Sequence, residues 1–535
     1  MVNPPTREAH HGRERRSSTR ALMVLGTASN VGKSLLVVAL GRWLRRRGVN
    51  VAPFKAQNIA LNSYVTPDGA EIGWAQAQQA FAAGVTPHAD MNPVLLKPGA
   101  DASVQVVVRG KVSPEVGRLP SDRRHSALRS IILESYRRCS TRHDVVLIEG
   151  SGSAAEVNLK ARDVSNLWMA RAVGAPCLLV ADIDRGGVFA SILGTLSLLT
   201  PSERRLIAGF VINKFHGDPL LFAEGVSFLE KRSGKPCLGV IPHLPDICLK
   251  AEDSVALGDE PPAAGAGGSE ALTIGVVQLP HMANHTDFDP LTREPGVRLV
   301  YVTRPEQVAG LDLLILPGSK STVADLDWLR QRGLADALAR HGARGGRIFG
   351  ICGGMQMLGQ SIDDPHKVED KAGVAVEGLG LLPVRTIMNA HKTTTQATAV
   401  LVDPRPGVGQ LVGYEIHMGW TERTDPRCRP LLHLRRAGGG EAILDGAQTE
   451  DGRVFGTYLH GLLDNDAFRL HLLNTLRGEH GWPALPGVRS YLSGGYDAEI
   501  DRWTGHVMRH LDETYLSRML LVGDEPPGMQ RGGQA

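Results

Sequence analysis

Gly26-Thr27-Ala28-Ser29-Asn30-Val31-Gly32-Lys33-Ser34 decides how this chain of 535 residues begins to fold. Residues 21–26 form a short apolar run of strand character, and residues 33–47 read as a helix ended by Gly48. Glycines at 26 and 32 let the backbone curl so that N–H groups face inward, and the helix N-terminus adds partial positive charge. Such a strand–loop–helix cradles phosphate. Lys33 would reach the terminal phosphates of ATP and Ser34 Oγ would coordinate Mg²⁺, with Thr27 and Asn30 in the same ATP-contacting loop. Five residues separate Gly26 from Gly32, where the usual spacing is four.

Mg²⁺ is a hard cation and also wants a carboxylate oxygen. Glu149 ends the apolar run 145–148 and precedes Gly150-Ser151-Gly152. An acid at the carboxyl end of a parallel strand faces the crevice where ligands bind, so Glu149 is the metal-ligand candidate beside Ser34. Asn213 follows the run 206–212 and could hold the adenine base through its amide, although an Asn after a strand is also an ordinary turn former.

A second reactive element stands some three hundred residues on. Gly350-Ile351-Cys352-Gly353-Gly354 places a cysteine in a strand–tight turn–helix setting, where Ser stands in nucleophile elbows. A helix N-terminus favours the thiolate. His460, in Gly456-Thr457-Tyr458-Leu459-His460-Gly461, is the candidate base, and the turns at Gly318 and Gly353 are candidates for the oxyanion site. His417 reads as structural or interfacial. The pairing of elements implies a carboxylate activated with ATP and ammonia drawn from glutamine.

Between and around these elements, continuous apolar strands alternate with helices, which predicts α/β architecture with two doubly wound, mainly parallel sheets. The expected organisation is a basic disordered tail over 1–20, a P-loop synthetase domain over 21–257 and a Pro/Gly/Ala-rich linker over 258–270. A glutamine amidotransferase domain over 271–466 follows, then a helical extension over 467–522 and a polar tail over 523–535. Residues 498–511 are expected to pack back on the second domain.

The formal net charge is +3, and the first twenty residues already hold five Arg against two Glu. The body is therefore balanced, which argues against a nucleic-acid surface. No apolar run reaches membrane-spanning length and the N-terminus lacks the apolar core of a secretory signal, so a cytoplasmic protein without a membrane partner is expected. The six cysteines show no zinc-like spacing. The sequence leaves homo-oligomerisation open.

The longer phosphate loop is similar to that of dethiobiotin-synthetase-like enzymes. Residues 26–34, 53–58 through 61–65, 92–97, 180–188, 316–320, 350–354, 413–419 and 456–461 together resemble the cobyric acid synthase family, in order and across both domains. The resemblance implies a glutamine-dependent ligase of the vitamin B12 pathway, which amidates four peripheral carboxylates of the corrinoid adenosylcobyrinic acid a,c-diamide through acyl phosphates. It puts the nucleophile on Cys352 and the second catalytic residue on His460, and it puts Lys55 and Asp184 in the ATP–carboxylate crevice. Many related amidotransferases have a Glu two residues after the histidine; here Leu462 stands there, so sequence does not say what orients His460. Rival readings are the enzyme that amidates the a and c carboxylates, and a partition-type ATPase switch. The switch expects a further Lys where this chain has Ala28.

Overall fold

The computed structural model describes residues 19–100, 103–245, 247, 249, 270–369, 373, 375–490 and 494–521. The expected tails and linker fall outside these residues, apart from Thr19, Arg20 and Glu270. Among the described residues, no helix is long and apolar enough to cross a membrane.

The first sheet has six parallel strands in the order Cys237–Pro242, Ile207–Phe215, Cys177–Asp182, Arg20–Gly26, Val145–Glu149, Val51–Phe54. Successive residues of a strand point to opposite faces. Met23 and Leu25 therefore enter one core while Leu22 and Val24 enter another, and all four are fully buried. Burial on both faces is why these strands read as unbroken apolar runs. The order places the carboxyl ends of Arg20–Gly26, Val145–Glu149 and Cys177–Asp182 side by side, so the loops bearing Lys33, Glu149 and Asp184 share one edge.

The second domain repeats the plan. Val297–Val302, Leu272–Val277, Leu313–Leu316, Arg347–Ile351 and Val454–Thr457 run parallel, and Ala447–Gln448 pairs antiparallel at the edge. Cys352 and His460 thus follow neighbouring strands. Beside this sheet, the long strands Val384–Leu401 and Leu411–Arg423 pair antiparallel and reach the first domain. Helix Asp466–Glu479 buries Phe468, Leu472, Leu473 and Leu476 in the second core, which extends beyond Asp466.

The expected packing of residues 498–511 is corrected. Helix Gly495–Met508 lies on helix Lys33–Arg46 of the first domain, where Ile500, Trp503 and Val507 share a core with Leu36, Leu40 and Trp43. Trp503 Nε1 donates to Leu35 O at 2.7 Å, Arg42 pairs with Asp497, and Arg20 donates to Leu520 O at 2.8 Å. A helix face rich in Ile, Trp and Val announces burial but not its partner, which is why the sequence reading chose the nearer domain. Trp503→Ala should destabilise the first domain by about 3–5 kcal/mol, read as a lowered unfolding midpoint in urea.

Candidate active site

Strand Arg347–Ile351 delivers Cys352 with φ 51° and ψ −111°, outside the usual regions for a side-chain-bearing residue. The turn holds because its neighbours are glycine. A Cβ on Gly354 would stand 1.9 Å from Leu316 O, and one on Gly350 would meet the Met355 backbone at 2.7 Å. Cys352 N–H donates to Thr457 O at 2.8 Å, fixing the turn to the strand that leads to His460. Strain concentrated on one nucleophile-bearing residue is a recurring feature of reactive turns.

The cysteine and the histidine meet. His460 is buried and lines the same pocket as Cys352, whose thiol donates to Ile416 O at 3.7 Å. The expected oxyanion glycines flank them: a Cβ on Gly318 would lie 3.2 Å from His460 Cε1, and one on Gly353 would lie 2.9 Å from Ser319 N. His417 is elsewhere engaged, bonding Gly419 O at 2.8 Å and Glu415 at 3.1 Å while stacking on Tyr458.

The acid missing at Leu462 comes from another part of the chain. Asp287, on the short 3₁₀ helix His285–Phe288 beyond strand Leu272–Val277, accepts from His460 Nδ1 at 2.7 Å and from Gly461 N–H at 3.1 Å. Burial alone would lower the pKa of His460, but the Asp287 carboxylate and its hydrogen bond raise it to about 10. Cys352, His460 and Asp287 thus stand in the order that a nucleophile–base–acid relay requires. No motif spacing marks Asp287; only the sheet order brings it to His460.

The same segment touches the first domain. His285 N–H donates to Asn62 Oδ1 at 2.9 Å, and Ser63 N–H donates to Asn284 Oδ1 at 2.9 Å. Tyr414 stacks on His460 with ring centroids 5.4 Å apart, and its hydroxyl donates to Ser63 O at 3.2 Å. Below them Glu71, on strand Glu71–Gly73, is 1 % exposed and binds Lys97 Nζ at 2.6 Å and Lys392 of the second domain. Burial would raise the Glu71 pKa, yet Lys392 and Lys97 hold it well below the carboxylate range. Lys97, Gln105 and Lys392 line the same pocket as Cys352 and His460, so both domains wall the thiol.

At the phosphate loop, Ser34 Oγ donates to Glu149 Oε1 at 2.8 Å, and Lys55 Nζ reaches the same oxygen at 3.0 Å. Gln79 Nε2 donates to Glu149 Oε2 at 2.6 Å. Lys33 Nζ is held by Ala28 O and Gly152 O, each at 3.0 Å. A hydroxyl and a carboxylate side by side, with the loop N-terminus open above them, fit a divalent cation that keeps waters and phosphate oxygens as its other ligands. Asn213 Nδ2 donates to Val31 O at 2.9 Å, against Gly32, so its amide braces the loop from below. Asp184 is not drawn into this buried cluster. It lies on the exposed loop after Cys177–Asp182 and pairs with His216 at 2.7 Å.

Asp287→Asn should lower kcat for glutamine hydrolysis by about 10²–10⁴-fold. With the carboxylate gone, burial dominates and the His460 pKa falls, so the alkaline limb of the pH–rate profile should move toward neutrality.

Residues 22–255 match the CobQ/CobB/MinD/ParA nucleotide binding domain and residues 273–468 match the CobB/CobQ-like glutamine amidotransferase domain. The chain is 46% identical over 516 residues to a cobyric acid synthase of Syntrophobacter fumaroxidans, covering 94% of this chain and 98% of that one. It is 48% identical over 519 residues to one of Moorella thermoacetica (95% and 98%) and 48% identical over 514 residues to one of Sorangium cellulosum (93% and 98%). With such likeness running through both halves, the chain belongs to the cobyric acid synthase family.

Proposed function

We propose that the chain amidates the b, d, e and g side-chain carboxylates of adenosylcobyrinic acid a,c-diamide, using ATP and glutamine-derived ammonia, to give adenosylcobyric acid. The observation that supports this best is the shared wall of the thiol pocket, which brings a glutamine-cleaving relay against a phosphate-loop domain.

In the glutaminase half, Cys352 sulfur attacks the side-chain amide carbon of glutamine. His460, held by Asp287, passes its proton to the departing nitrogen as the C–N bond breaks, and ammonia leaves. Water then hydrolyses the thioester to glutamate and restores the thiol. N–H groups near Gly318 and Gly353 are placed to receive the negative oxygen of each tetrahedral state.

In the synthetase half, a corrinoid carboxylate oxygen attacks the γ-phosphorus of ATP and ADP leaves. Ammonia then attacks the acyl carbon, phosphate departs, and a proton is lost to leave the amide. Gly26, Thr27, Asn30, Gly32 and Lys33 hold the phosphates, and Asn213 holds the base from the end of its strand. Ser34 and Glu149 hold Mg²⁺, whose charge offsets that of the β- and γ-phosphates when it is bound. Lys55, buried on Glu149, sits where it can steady the reacting carboxylate, and Asp184 acts from the exposed lip of the crevice. The partners are small molecules, and the reading carries a cytoplasmic location with no nucleic-acid or membrane partner.

Cys352→Ala should abolish glutamine-dependent amidation while synthesis fed with ammonium salt persists. Product masses after incubation with the a,c-diamide check this, and full glutamine-dependent synthesis by the variant would overturn the role of the thiol. Lys33→Ala should cut ATP-dependent amidation at least about a hundredfold with either nitrogen source, since phosphate binding and charge stabilisation are lost together. Parallel assays with cobyrinic acid and its a,c-diamide separate this reaction from the earlier amidation at the a and c positions.

A further inference from the structure

Two charged side chains in the thiol pocket have no ion-pair partner among the described residues, and they bear opposite charges. Glu369 lines the pocket and is partly buried. Its carboxylate accepts only from Val323 N–H at 3.1 Å and Thr322 Oγ1 at 3.4 Å, at the start of helix Thr322–Gln331. Burial raises its pKa to about 7, with Lys320 and these hydrogen bonds pulling the other way. Lys320 lines the same pocket just past the Gly318 turn, and burial lowers its pKa. The other two lysines there, Lys97 and Lys392, are already bound to Glu71.

Partly buried charges that make no direct ion pair are costly to keep, so their presence in the thiol pocket points to a ligand that completes them. A free α-amino acid carries one ammonium and one carboxylate on a single carbon, and it complements one acid and one base that line the same pocket.

We propose that Glu369 and Lys320 form the head-group site for free glutamine, with Glu369 taking the α-ammonium and Lys320 the α-carboxylate while the side-chain amide reaches Cys352. The inference rests on the glutaminase reading above. It assigns the selection of the free amino acid, over a peptide-linked or deaminated amide, to these two residues. Because Lys97 and Gln105 close the same pocket from the synthetase domain, the site is complete only when both halves are together.

The experiment measures hydrolysis of three amides by the full-length protein with ATP and corrinoid present. These are glutamine, glutaramate (no α-amino group) and 4-aminobutanamide (no α-carboxylate). A site built to pair a charge rejects the analogue lacking it, because the buried partner is left alone. Glu369→Gln should raise the KM for glutamine at least about tenfold and change that for glutaramate less than threefold, since glutaramate never used the acid. Lys320→Met should show the mirror pattern, weakening glutamine and glutaramate while leaving 4-aminobutanamide nearly unchanged. Equal losses on all three amides would mean that the residues only shape the pocket, and an unchanged glutamine KM would mean that the head group binds elsewhere. Either result overturns the assignment. Cys352→Ala is run alongside: if it still hydrolyses glutamine, the thiol reading fails, and the analogue pattern still decides the head-group site.

Discussion

Glu71 is the residue on which the arrangement of the two halves turns. It is buried between Lys97 of its own domain and Lys392 of the other. An isolated carboxylate in that position would be costly, and so would two unpaired ammonium groups, but together they hold one another. The triad then satisfies itself only when the long strand Val384–Leu401 stands against strand Glu71–Gly73. Two further contacts are set by the same docking. Ser63 N–H finds Asn284, and the hydroxyl of Tyr414, whose ring stacks on His460, donates to Ser63 O. The geometry of the thiol centre is thus partly owned by the domain that binds ATP.

One segment carries this dependence to the other centre. Glu71 begins a stretch that runs into helix Trp74–Ala83, and Gln79 of that helix donates to Glu149 beside Ser34. A single helix thus joins the Glu149 carboxylate to the ion cluster that walls the thiol pocket. Coupling of this kind needs no long pathway, only a rigid element anchored at both ends.

The phosphate loop and the cysteine turn were legible because each is a local device. Their glycines answer to backbone geometry within a few residues, and the partners they need lie on the adjoining strand and helix. Ser34 and Glu149 could be paired from sequence because the carboxyl ends of parallel strands share an edge. Asp287 could not, because its meeting with His460 depends on strand order across a sheet, which apolar runs do not encode. The charges at Glu71, Lys97 and Lys392 escaped for a related reason: a charged residue in a sequence reads as solvated until its burial is seen. Asp184 differs from these: the family motif suggested the crevice, and the side chain stands at its exposed lip, paired with His216. The helix at 495–508 misled through proximity, since the face it buries matches a partner more than four hundred residues earlier.

That returning helix also makes the glutaminase an insert rather than an appendage. The sheet that binds nucleotide is made first, but the face of helix Lys33–Arg46 that Trp503 covers stays bare until helix Gly495–Met508 emerges. During synthesis the ATP-binding half cannot finish before its nitrogen supplier has been produced. The chain order thereby sets the completion of the activating domain after the synthesis of the domain that supplies it with ammonia.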